Sequence, residues 1–236
     1  MAVDLYVGPV SRYIVGNWKN LGQQAAEAHG YAYQMIGAGV RQPPKGFFAK
    51  RRAESRYASW REVMHKFSEA MGETSALWDD SPGLNYATDR PGWEGVSGLI
   101  VKYASLLYPE FEEPKFVPPQ EEVHGLPATQ EAAKEGGPFR AIAIPRMWIP
   151  GRFEAIHAVD WVEGGTMPIG SVGHLNAAID QVCALWGKDR ASFRDMPTDQ
   201  PDADAPLDEA ALHGLAVYSR LAEDARERRL PLILDF

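Results

Sequence analysis

Two groups of residues have the types and spacing for chemistry. Gly170, Ser171, Gly173 and His174 form a turn into an apolar-striped helical segment. Unobstructed backbone N–H groups at such a positive helix end could hold a phosphate or carboxylate. The spacing lacks a P-loop lysine and the further glycines of a dinucleotide fingerprint, and a Ser171 that does no more than cap its helix explains the turn equally well. In the second group His157 and Asp160 lie three apart after a β-like run, with Arg12 and Tyr13 beside the first strand. Brought together, a histidine oriented by a carboxylate next to an arginine could act as general acid or base. Surface residues, or polar residues satisfied in the fold, are the plainer explanation for the same set.

Other chemistry finds little support. The six histidines are scattered without HExxH spacing, no nucleophile elbow is present, and neither a metal nor a cofactor is expected. The single cysteine, Cys183, sits between Val182 and Ala184 in the helical pattern, where a buried inert thiol is the common outcome.

The elements that must position these residues are legible from periodicity. Leu5 and Val7 alternate with Asp4 and Tyr6, which suits a strand with one buried face. Trp18, Leu21 and Ala25 predict a helix over 17–28 capped by Asn17 and stopped by Gly30. Tyr57, Trp60, Met64, Phe67 and Met71 predict another over 55–71, with Ser55 as cap and Gly72 beyond its end. A third runs from Trp93 to Leu107 and a fourth from Leu175 to Trp186. The last opens at Pro206, with Asp208 and Glu209 in its first turn and Arg226, Arg228 and Arg229 in its final turn, each complementing the helix dipole. The runs FRAIAIP and RFEAIHAVDW, joined by a WIPG turn, read as paired strands, and RRLPLILDF ends the chain in an interior strand. The expectation is an α/β or α+β protein, helix-dominated, a small mixed β-sheet of about four strands covered by about five helices, in a single domain over 1–236.

The chain of 236 residues carries a net charge of −8, which disfavours nucleic acid and anionic membranes as partners. MAVDLYVGPV has neither a basic start nor a long apolar stretch, so a cytoplasmic location is expected. Charge is unevenly distributed. Residues 41–66 hold Arg41, Lys45, Lys50, Arg51, Arg52, Arg56, Arg61 and Lys66 against Glu54 and Glu62, a local +6 that leaves −14 for the remainder. Internal pairing with the chain's own glutamates, a protein partner or nucleic acid would each explain it. Residues 109–138 combine six prolines with many glutamates and read as a long acidic loop, exposed or docked near residues 50–56 through Phe111, Phe116 and Val117.

The succession MWIPGRF, PIGSVGHL and HGLAVYSRLAEDARERRLPLILDF, with the opening VDLYVGPVSRY, resembles a family of uncharacterised bacterial proteins, some of which are similar to immunity or accessory proteins of toxin systems. The likeness covers both ends of the chain but not its middle, and it transfers no site residue. It implies a bacterial cytoplasmic protein that binds something. With the acidic remainder, the expected function is a non-enzymatic, immunity-like module that presents an acidic surface to a protein partner of basic character. The alternative is an enzyme or small-molecule binder that holds an anionic ligand at residues 170–174. Oligomeric state is not encoded in any recognisable motif.

Overall fold

A computed structural model describes residues 3–31, 46–71, 78–81, 83–162, 164–197, 200–202 and 204–235. In chain order its elements are β1 (Asp4–Val7), α1 (Val10–Ile14), α2 (Leu21–Ala28), α3 (Phe47–Ala70), β2 (Ala87–Asp89), α4 (Gly92–Leu107), α5 (Gln120–Val123), α6 (Pro127–Glu135), α7 (Pro138–Ala143), β3 (Met147–Ile149), β4 (His157–Asp160), β5 (Thr166–Ser171), α8 (Val172–Trp186), a 3-10 turn (Arg190–Phe193), α9 (Leu207–Arg228) and β6 (Leu232–Asp235). The protein is mixed α/β and helix-dominated, with six strands among the described residues.

The strands form one sheet in the order β2-β1-β6-β3-β5-β4, in which only β3 and β5 run parallel. Period-two alternation divides its side chains between two cores. Leu5, Val7, Trp148 and Leu232 pack with residues of α4, α8 and α9, whereas Tyr6, Met147, Ile149, Ile169 and Ile233 pack with residues of α1 and α3. Helices therefore cover both faces, and all four residues of β1 are buried, not the alternate two. Asp4 shares that burial, which pushes its carboxyl up against the opposing pull of Arg90, 2.9 Å away.

Several segments differ from their sequence reading. FRAIAIP forms α7, because Pro138 fills the first helical position after Gly137 and Phe139 and Ile142 recur at helical spacing on a buried face. The strand begins instead at Met147, just before the WIPG stretch read as a turn, takes in Trp148 and Ile149 of that stretch, and pairs with β5 and β6. The segment 109–138 is not one long loop. Pro119 precedes α5 and Pro127 opens α6, positions where a missing N–H leaves no hydrogen bond unmade. Val123, Ala128 and Ala132 are buried in the α4 core, and Phe111 and Val117 pack against it. Among the described residues none of its acids pairs with residues 50–56, and Glu113 pairs instead with Lys102 of α4 at 3.0 Å.

Smaller shifts concern helix ends. Asn20, not Asn17, caps α2, through a reciprocal capping box with Gln23. Helix α3 starts at Phe47, two turns before Ser55, while the Gly72 stop lies outside the described residues. Ser171 caps α8, and α9 carries the acidic first turn and basic last turn its sequence predicts. No helix among the described residues is long and apolar enough to cross a membrane.

Candidate functional site

The α8 entrance forms because β5 ends at Ser171, whose side chain accepts a hydrogen bond from the His174 backbone N–H at 3.0 Å. The Ser171 hydroxyl also donates to the Phe153 carbonyl at 2.6 Å, and the Gly173 N–H donates to the Gly151 carbonyl at 2.9 Å. The strap formed by residues 151–154 thus lies across the turn. A Cβ at Gly173 would sit 2.6 Å from the Gly151 oxygen, so glycine is needed for this close approach and not for a phosphate. The approach at Gly170 is less severe, a Cβ there meeting the Pro145 and Trp148 side chains at 3.0 and 3.2 Å.

His174 is buried beneath this strap, and its Nδ1 has no hydrogen-bond partner. Burial lowers its pKa from 6.5, with Glu154 opposing the shift. The unfolded chain takes up the proton more readily, so this contribution to stability is complete above the ordinary value of 6.5 and is lost as pH falls towards the lowered folded value. Urea midpoints measured between about pH 7.5 and 5 should therefore fall less steeply in His174→Gln than in the wild type. Identical slopes would remove His174 as the group responsible.

His157 and Asp160 cannot work as a pair, because residues three apart on a strand point to opposite faces. The His157 ring lies edge-on to Phe67 and Phe153, at centroid distances of 4.8 and 5.8 Å, with its buried Nε2 unpartnered, while Asp160 is exposed on the edge strand. Arg12 and Tyr13 diverge as well. Arg12 donates to the Asn17 and Leu84 carbonyls and lies 4.4 Å from the Tyr86 ring centroid, whereas the Tyr13 hydroxyl donates to Asp235 across the core. The structure brings His157 and His174 to the same strap and leaves Arg12, Tyr13 and Asp160 in separate places. Among the described residues no group of three potential ligands could hold a metal, and burial pushes the Cys183 thiol up to about 11, away from nucleophilic range.

A different region gathers exposed functional groups. Phe116 bridges to Pro206, and the Leu207 N–H donates to the Lys115 carbonyl at 3.1 Å, so residues 110–117 lie beside the start of α9. Lys102, rising from α4, joins the two segments through Glu113 at 3.0 Å and Asp208 at 2.8 Å. Around this junction Glu110, Glu112, Asp204, Asp208 and Glu209 are exposed, and Phe116 retains 49% of its surface to solvent. Beside it is a cleft of about 190 Å³, lined by Val101, Ser105, Phe111, Glu112, Leu126 and Thr129 among others. Thr129 is 1% exposed and its hydroxyl has no partner. Sequence reasoning marked the acids and Phe116 of this region but not the cleft, which exists only once α6 packs on α4.

A second feature that sequence reasoning missed is Asp80, whose side chain is 5% exposed beneath α3. It accepts from the Trp78 indole at 3.1 Å and faces Arg61 at 3.6 Å, fastening α3 to the aromatic layer of Tyr57, Trp60 and Trp78. No protein-family model, curated protein or solved structure matches the chain.

Proposed function

We propose that this protein is a non-enzymatic, cytoplasmic protein-binding module of the immunity type, which presents the acidic face around Phe116 to a basic protein partner. The observation that carries this reading is a half-exposed phenylalanine, with the Lys115 ammonium 5.5 Å from its ring centroid, on a segment that also carries Glu110, Glu112 and Glu113 and runs beside an apolar cleft. An apolar anchor inside a charged rim is the usual anatomy of a contact with its energy at the centre and its steering at the edge. Lysine or arginine side chains suit such a face, since their apolar stems can enter the cleft while their charged ends meet Glu112 and its neighbours.

The enzyme or anionic-ligand reading of residues 170–174 has less support, because the Gly173 and His174 N–H groups are already bonded within the chain.

Capture from a native bacterial lysate at low and high salt, with wild type and with Phe116→Ala/Glu112→Lys, tests the proposal. A basic protein should be retained by the wild type and released by salt. Truncating a central aromatic costs about 2 kcal/mol, so the variant should lose roughly thirtyfold in affinity or more. Equal capture by both chains would end this assignment of the surface.

A further inference from the structure

From the opposite side of the sheet, we infer a second docking surface: the N-terminal half of α3, which fits an acidic protein. This inference stands independently of the Phe116 face. The buried residues of α3 are Tyr57, Trp60, Met64 and Ser68, so its body contact begins about three turns after its start at Phe47. Before that point only Ala53 packs against the core. Phe47 and Phe48 are 71% and 84% exposed, and Lys50, Arg51, Arg52 and Arg56 are all exposed. Among the described residues none of these four cations has an ion-pair partner, in contrast to Arg61 one turn further on, which pairs with Asp80 and donates to the Trp78 carbonyl.

No ion pair among the described residues accounts for the placement of these charges. The first turn of α3 contains no acid, and Lys50 closes that turn at the positive end of the helix dipole, where positive charge is unfavourable. Among the described residues no acid pairs with these cations: Asp80, on the same side of the sheet, faces Arg61, and the acidic junction is attached to α4 and α9 on the other face. A local rule broken without local compensation is the mark of a site that answers to something outside the fold.

The partner's chemistry follows from charge and ring geometry. Phe47 and Phe48 pack edge to face at 5.7 Å and 78°, forming an apolar knob ahead of the cations that matches an apolar pocket with an acidic rim. An extended polyanion such as duplex nucleic acid would also meet the remaining −14 of the chain, which a compact acidic patch would not.

The test uses the full chain immobilised in a nuclease-treated native lysate, as wild type, as Phe47→Ala/Phe48→Ala, and as Lys50→Glu/Arg51→Glu/Arg52→Glu/Arg56→Glu. Charge reversal places acids near a helix N-terminus, which favours the helix, and unchanged melting curves would confirm that each variant is folded. The expected result is at least one acidic protein captured by the wild type, reduced tenfold or more in both variants and unaffected by Phe116→Ala/Glu112→Lys. Capture that is indifferent to the α3 variants overturns the inference while leaving the Phe116 reading intact. Capture that appears only when the nuclease treatment is omitted, or recovery only of further copies of this chain, overturns it as well.

Discussion

Removing residues 231–236 should leave a chain that does not fold. Strand β6 is not an edge: it lies between β1 and β3 and pairs with both, with Tyr6 opposite Ile233 and Trp148 opposite Leu232. Without it the sheet divides into β2-β1 and β3-β5-β4, and each fragment exposes a new row of unpaired N–H and C=O groups. Leu232 and Ile233 are wholly buried, one in each core, and their loss removes about 1.5–3 kcal/mol apiece. Against a typical total stability of about 5–15 kcal/mol, these losses together with the lost ladders exceed what the fold can absorb. Circular dichroism and a thermal melt decide the matter, and a truncated chain with an unchanged transition would refute the central position of β6.

Gly214→Ala should be the most damaging single methyl group. Helices α4 and α9 cross so closely that a Cβ at Gly214 would lie 2.1 Å from the Gly95 carbonyl oxygen and 2.6 Å from its carbon. Both are backbone atoms, so no rotamer change relieves the clash and the helices must separate. Gly98 repeats the contact one turn along, where a Cβ would meet the Ala211 nitrogen at 2.9 Å. Overpacking of this kind costs about 3 kcal/mol, partly offset by the roughly 1 kcal/mol that alanine gains over glycine in a helix. For a chain of this size the net loss lowers the melting temperature by about 4–8 °C. Gly83→Ala is the control, since nothing lies within 4 Å of the added carbon and its backbone is unstrained. A Gly214→Ala protein that melts at or above the wild-type temperature would mean that the helices do not meet at this distance.

The functional consequences of the fold depend on how its two faces are used. The acidic junction around Phe116 belongs to the α4–α9 layer, and the cationic end of α3 belongs to the opposite one. A chain of net charge −8 therefore offers surfaces of both signs, separated by a sheet. Its net charge alone suggests only the acidic one.

The sequence by itself determined whatever depends on local periodicity and capping. The stripes of α4, α8 and α9, the Ser171 cap, the charge pattern of α9 and the apolar run of β6 all appear where their spacing puts them, because a 3.6-residue repeat or an unbroken apolar run has one economical local structure. Tertiary structure decided the rest. FRAIAIP carries β-type residues, yet Pro138 and the packing of Phe139 and Ile142 made it α7. The prolines of 109–138 looked like breakers and serve as helix starts, a distinction that depends on whether α4 is there to bury Val123, Ala128 and Ala132. Strand order, and with it the separation of Arg12, Tyr13 and Asp160 from the strap shared by His157 and His174, is a matter of long-range pairing that no local pattern encodes. The exposed cations of α3 were legible as a charge excess. That these cations have no ion-pair partner among the described residues became apparent only in the tertiary structure, where Asp80 faces Arg61 and the acidic junction lies on the other face of the sheet.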